Sequence, residues 1–208
     1  VMQDLPRIDA SIREDTLKDN QVLQNMIAVL QQTGGTCHLM GLMSDGGVHS
    51  HINHIIALAK ILDANNVKTA IHAYMDGRDT PPTSGERYLA QLEDAIKNLK
   101  NVKIATISGR FYAMDRDKRW DRLELAYDNL VSASGKRYTT ANEAIKASYA
   151  NDVTDEFVLP CVVGDYDGMH DGDAILMANY RADRAREILY ALADSPFEGF
   201  DRKKVVKF

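Results

Sequence analysis

Cys37-His38-Leu39-Met40-Gly41-Leu42-Met43-Ser44-Asp45-Gly46-Gly47-Val48-His49 is the stretch whose reading decides the fold. Residues 37–43 form an apolar run of the length of a buried strand. Ser44-Asp45-Gly46-Gly47 breaks it, because neighbouring Asp and Gly favour turn geometry. Beyond the break, Val48, Ile52, Ile55, Ile56, Ala59 and Leu62 recur at the spacing of an amphipathic helix. A strand, a glycine turn and a helix in that order make the repeating unit of an α/β fold.

The alternation continues in both directions. On the N-terminal side the first ~35 residues have a helical pattern, with Val22, Met26, Val29 and Leu30 as the apolar stripe and Gly34-Gly35 as the stop. On the C-terminal side residues 69–75 read as a strand. Pro81-Pro82 then opens a helix with Leu89, Leu92, Ile96 and Leu99 inward, and Thr83 with Glu86 has capping-box spacing. Residues 103–107 read as a strand, followed by a helix with Trp120, Leu123, Tyr127, Leu130 and Val131 on one side. A shorter helix falls near residues 141–149, strands at 157–163 and 174–178, and a last helix carries Ala185, Ile188, Leu189 and Leu192. The expected fold is α/β, a mixed, largely parallel sheet with helices packed around it, in a single domain over residues 1–208.

Bulk properties narrow the function classes. With 208 residues, 45% hydrophobic and 26% charged, the chain has an ordinary globular composition and enough apolar surface for a core. A net charge of −5 argues against non-specific nucleic-acid binding, which selects basic surfaces. Cys37 and Cys161 both fall in apolar runs and read as buried, reduced thiols. No apolar run approaches the ~18 residues of a membrane span, and no signal-peptide pattern opens the chain, so a cytoplasmic protein is expected. Val1 is not an initiator Met, and Val205-Val206-Lys207-Phe208 is apolar with nothing after it to pack against, so the chain reads as a fragment of a longer one.

Four polar segments follow strands: Ser44 to His49, Asp76-Gly77-Arg78-Asp79, Ser108-Gly109-Arg110, and Asn179-Tyr180-Arg181-Ala182-Asp183-Arg184. Ligands of open α/β sheets sit outside the carboxyl ends of strands, so one shared site is expected there. Arg116, after Asp115 as N-cap, and Arg184 both read as lying in first helical turns, where the dipole disfavours a cation. Guanidinium groups match carboxylate and phosphate through paired donors. Arg78, Arg110, Arg181 and Arg184 together favour a site for a small anionic ligand over solvated charges paired with Asp115, Asp117 and Asp183.

Asp79 is the acid/base candidate, with a turn role before Pro81-Pro82 as its alternative, whereas Asp76 before Gly77 reads as structural. His49, His51 and His54 suggest a metal cluster, but on a helix His49 and His51 point roughly 200° apart, so no metal ligand is assigned. His49, in a first helical turn, faces the anion site instead, and His54 points away from the apolar stripe. His38 and His72 read as satisfied core or interface residues, and His170 as solvated.

Several runs resemble signatures of the cofactor-independent phosphoglycerate mutases. They are Gly41-Leu42-Met43-Ser44-Asp45-Gly46-Gly47-Val48-His49-Ser50-His51, Met75-Asp76-Gly77-Arg78-Asp79-Thr80-Pro81-Pro82, the run from Ser108 to Arg122, and Asn179-Tyr180-Arg181-Ala182-Asp183-Arg184-Ala185. Gln3-Asp4-Leu5 with Arg7-Ile8 resembles the segment leading into that domain. The resemblance implies an isomerase that interconverts 3-phosphoglycerate and 2-phosphoglycerate in glycolysis without 2,3-bisphosphoglycerate. It implies two domains: a phosphatase-like one with two manganese ions and a serine nucleophile, absent from this chain, and an inserted substrate-binding domain, which this chain matches. It implies that His49, Arg78, Asp79, Arg110, Arg116, Arg181 and Arg184 contact substrate, with Asp79 relaying protons. Some members carry Pro where Ala182 stands. A monomer without mutase activity of its own is expected. The alternatives are a stand-alone binding module for small phosphorylated acids and a metallohydrolase using His49 and His51.

Overall fold

The structure, a computed structural model, describes residues 3–208. In chain order the elements are α1 (Asp4–Arg13), α2 (Gln21–Thr33), β1 (Cys37–Leu42), α3 (Ile52–Ala64), β2 (Thr69–Met75), α4 (Gly85–Ile96), β3 (Val102–Gly109), α5 (Arg110–Ala113), α6 (Trp120–Ser132), β4 (Arg137–Tyr138), α7 (Ala141–Tyr149), β5 (Cys161–Val163), β6 (Ala174–Met177) and α8 (Arg186–Ala193). The six strands form one sheet in the order β4-β5-β3-β2-β1-β6. Strands β6, β1, β2 and β3 run parallel, β5 is antiparallel to β3, and β4 runs parallel with β5. The fold is the expected mixed, largely parallel α/β domain.

Every residue of β1 and β2 is buried, which requires both faces of the sheet to be covered. Leu39, Ile71, Ala73 and Met75 meet α2, α3, α4 and α7 on one face, and Met40, Leu42 and Tyr74 meet α5, α6 and α8 on the other. Between β6, β1, β2 and β3 runs a buried polar chain. Asp173 Oδ2 lies 2.9 Å from His38 Nε2, His38 Nδ1 lies 2.9 Å from His72 Nε2, and His72 Nδ1 lies 2.8 Å from Thr106 Oγ1. Both histidines are thus satisfied core residues, as expected. Cys37 and Cys161 are free and buried, and burial raises each thiol to about 12.

Several boundaries differ from expectation, each for a tertiary reason. The inward stripe of α2 is Leu23, Ile27 and Leu30, while Val22 and Val29 are exposed. The two stripes lie one residue apart, and docking on the sheet selected the larger side chains. Helix α3 begins at Ile52 rather than near Val48, because the Ile52 amide returns to Ser44 O at 2.8 Å and Ser50 Oγ donates to Leu42 O at 2.5 Å. Helix α4 begins at Gly85, so Pro81-Pro82 lies before it and the Thr83–Glu86 capping box does not form. Asp155, distant in sequence, accepts from the Gly85 amide at 2.8 Å instead. Residues 157–163 are not one strand. Asp155–Phe157 is a turn of 3-10 helix, and only Cys161–Val163 pairs in the sheet. The chain end also packs: Val206 is buried against the α6–α8 layer while Val205 and Phe208 are exposed. Val1 lies outside the described residues.

Candidate anion-binding site

The shared direction of β1, β2, β3 and β6 puts the four polar segments at one edge of the sheet. Loop-to-loop bonds then draw them together. Asp76 is the hub of the first set. Its Oδ1 accepts from the Arg78 amide at 3.1 Å, the Asp79 amide at 2.9 Å and Arg110 Nη1 at 2.9 Å, while its Oδ2 accepts from Ser44 Oγ at 2.6 Å. The structural role expected of Asp76 is therefore observed, and it is also what seats Arg110. The same Nη1 reaches Asp79 Oδ2 at 2.8 Å. Arg110 is buried between two carboxylates, a placement that requires pairing. The cation beside Asp79 is thus Arg110, not its sequence neighbour Arg78, whose exposed side chain points to Glu156 at 3.6 Å.

Asp183 is the second hub. Arg116 Nη1 donates to its Oδ2 at 2.8 Å, and Arg181 Nε and His49 Nδ1 lie 3.1 and 3.6 Å from its Oδ1. The loop is tied to β1 by Asn179 Oδ1, which accepts from the Leu42 amide at 2.9 Å, and by the Tyr180 amide, which donates to His49 O at 3.0 Å. Burial works to raise Asp183, but the Arg116 hydrogen bond and the charges of Arg181 and His49 hold it below the usual carboxylate range. His49 is lowered, first by burial and then by Arg110. Its ring therefore favours the neutral form.

Arg184 stands apart in this cluster. It donates to Met114 O at 3.2 Å, and no carboxylate pairs with it among the described residues. Burial pushes its guanidinium down, and Arg116, Arg110 and Arg78 add to the same effect. A half-buried guanidinium among three others is electrostatically incomplete, and an anion with several acceptor oxygens completes it.

The arrangement corrects four expectations. Arg116 lies in the loop before α6 and not in a first helical turn, and Asp115 folds that loop by accepting from the Asp117 and Arg119 amides at 3.0 and 2.8 Å. Arg184 ends the 3-10 turn Ala182–Arg184, ahead of α8. Convergence, not opposition to a helix dipole, marks both as site cations. His49 precedes α3, and His51 is the residue that caps that helix, its Nδ1 accepting from the Asn53 amide at 3.1 Å. His54 is buried rather than turned outward, with Nε2 2.7 Å from Asp9 of α1. His170 is exposed beside Asp167. Sequence reasoning missed Asp183 as a hub. Its position between Arg181 and Arg184 was the available signal.

Among the described residues no group of three or more His, Cys, Asp or Glu is placed to hold a metal ion, so these residues do not fit a two-manganese centre. His51 Nδ1 is taken by the Asn53 amide, whereas His49 Nδ1 faces Asp183 at 3.6 Å, so the two rings do not point at one common position.

Comparisons with known proteins give the family and the fold. Residues 8–208 match the family described as BPG-independent PGAM N-terminus. The chain is 51% identical over 209 residues to a 2,3-bisphosphoglycerate-independent phosphoglycerate mutase of Gluconobacter oxydans, covering 100% of this chain and 40% of that protein. It is 53% identical over 205 residues to the enzyme of the same name from Rhodopseudomonas palustris, covering 99% of this chain and 40% of that one. A crystal structure of Leishmania mexicana phosphoglycerate mutase at low cobalt concentration superposes with a TM-score of 0.91 at 32% identity, covering 99% of this chain and 40% of that one. The chain thus spans about 40% of the length of the curated relatives it matches. It belongs to the family of the N-terminal region of BPG-independent phosphoglycerate mutases.

Proposed function

We propose that this chain is the substrate-binding domain of a 2,3-bisphosphoglycerate-independent phosphoglycerate mutase, which grips 3-phosphoglycerate and 2-phosphoglycerate during their interconversion. The observation that carries the reading is Arg184, without a carboxylate ion pair among the described residues and pressed by Arg116, Arg110 and Arg78. A phosphoglycerate has a carboxylate and a phosphate, two anionic groups suited to so dense a cluster.

In this reading a serine on the part of the relatives outside this chain takes the phosphoryl group, leaving glycerate on the arginines. The other glycerate hydroxyl then attacks the phosphoserine. Asp79 accepts the proton of the attacking hydroxyl and returns one to the departing oxygen, its carboxylate oriented by Arg110. His49 stands near the phosphoryl group, and Arg78, Arg110, Arg116, Arg181 and Arg184 share the carboxylate and phosphate of the ligand between them. Holding glycerate through this exchange keeps water from diverting the reaction to hydrolysis. The two manganese ions accompany the serine on the phosphatase-like partner domain. The protein works as a cytoplasmic monomer, and no helix among the described residues is long and apolar enough to cross a membrane.

The test is an assay of the full-length parent with manganese present and 2,3-bisphosphoglycerate absent, alongside Arg184→Ala and the 208-residue chain alone. Activity in the parent only, collapsing in the variant, supports the reading. A folded, metal-loaded parent without activity overturns it in favour of a stand-alone module for small phosphorylated acids.

A further inference from the structure

The loop carrying Arg116 joins α5 to α6 and has no helix or strand of its own. Its Lys118 has φ 56, a left-handed conformation unfavourable for a residue with a side chain. Something outside the loop must therefore hold it. Three successive amides end on two carboxyl groups: Asp117 and Arg119 donate to Asp115 Oδ2 at 3.0 and 2.8 Å, and Lys118 donates to Glu187 Oε1 at 3.0 Å. Glu187 lies at the start of α8, next to the turn that carries Arg184. Its second oxygen, Oε2, is buried and receives no amide, hydroxyl or guanidinium bond. Besides the Lys118 amide, the neighbour of the Glu187 carboxyl is the Asp115 carboxyl.

Two adjacent ionised carboxylates repel, whereas one proton between them turns the repulsion into a hydrogen bond. We propose that Glu187 is the positioning residue of the Arg116 loop, holding it through a proton donated to Asp115. The titration directions agree. Burial raises Glu187; the Lys118 amide works against the rise, and the neighbouring Asp115 and Asp117 carboxyls add to it. Burial works to raise Asp115, but the Arg119 amide and the Glu187 proton hold it low. The proton therefore rests on Glu187. The other charges around the pair are Asp117 and Lys118 of the loop, Arg122 of α6, Arg184 of the preceding 3-10 turn, Arg186 of α8, and Glu198 of the C-terminal segment. Because the folded value of Glu187 is raised above 4.5, its hold is complete at lower pH and is lost as pH rises through that folded value. The link to ligand binding rests on the reading of Arg116 as a site cation; the latch itself does not.

The test is hydrogen exchange of the full-length parent, read on peptides spanning residues 114–119 and corrected for intrinsic rate, between about pH 5 and about pH 9. Wild-type protection should fall about tenfold across the range. Glu187→Gln, which keeps a donor at every pH, should be protected and flat, and Glu187→Ala unprotected throughout. Flat wild-type protection, or Glu187→Gln behaving like the alanine variant, overturns the proposal, and the glutamine arm decides even where alanine fails to fold. A parallel KM measurement for 3-phosphoglycerate reads the site separately. A latch that titrates while KM stays constant counts against Arg116 as a ligand contact, not against the latch.

Discussion

The Arg110 guanidinium lies 2.8 Å from the Asp79 carboxylate across 31 residues of chain, and it is the bond that converts two separate loops into one site. The same guanidinium is nearly inaccessible to solvent and also holds Asp76. Arg110→Ala leaves a buried carboxylate without its counter-charge and should cost about 3–5 kcal/mol of stability. Arg110→Lys keeps the charge but alters the reach and shape of the donor group, so urea midpoints should place it between alanine and wild type.

Arg184→Ala should behave in the opposite way. The guanidinium makes one carbonyl bond and faces three like charges, so its removal should leave the urea midpoint within about 0.5 kcal/mol of wild type. Titration calorimetry of 3-phosphoglycerate on the full-length parent should show affinity reduced by at least about tenfold, the equivalent of a charge-assisted hydrogen bond. Unchanged affinity would remove Arg184 from the ligand contacts.

His49 offers a titration with a defined sign. Burial and then Arg110 lower it below 6.5, so its imidazole should be neutral at pH 7 by proton NMR. An anion beside it favours the charged form, so saturating inorganic phosphate should move the midpoint upward. Asp183→Asn removes a neighbouring negative charge and should move it downward.

Acid should attack the polar chain inside the sheet. Burial, then His38, hold His72 well below 6.5, so its contribution is complete above that pH and is lost as pH falls toward the folded value. Asp173 is also depressed; burial opposes the shift, but the His38 hydrogen bond, the Thr36 and His170 amides and the His38 charge together outweigh it, and its contribution is lost as pH falls through a folded value below 3.8. Melting temperature should therefore decline in two stages below pH 6.5, and His72→Leu should diminish the first, to which His49 and His51, also lowered by burial, contribute as well.

Gly109→Ala tests a close approach. Its φ is −62, so the backbone conformation suits alanine, but a Cβ there would lie 2.2 Å from Glu156 O and 2.7 Å from the Val158 nitrogen. The β3–β5 junction must shift, at a cost of about 1–3 kcal/mol, and Arg110 shifts with it. A wild-type urea midpoint would show that the junction yields without cost.

The sequence alone determined the α/β class, because an apolar run, a glycine break and a helical stripe are local patterns that report burial on a sheet. The strand 69–75 and the helix 141–149 were legible to the residue for that reason. So were the candidate arginines, since chemical identity and a position after a strand are both written locally. What the tertiary structure decided were the partners. Which stripe of α2 faces inward, what caps α4, and whether Asp79 pairs with Arg78 or Arg110 depend on residues far apart in the chain. Asp183 as the hub of Arg116, Arg181 and His49, and Glu187 as the support of the Arg116 loop, were not visible. A carboxylate acquires such a role only when the parallel strands deliver several loops to one edge, and that convergence is a property of the folded sheet rather than of any segment.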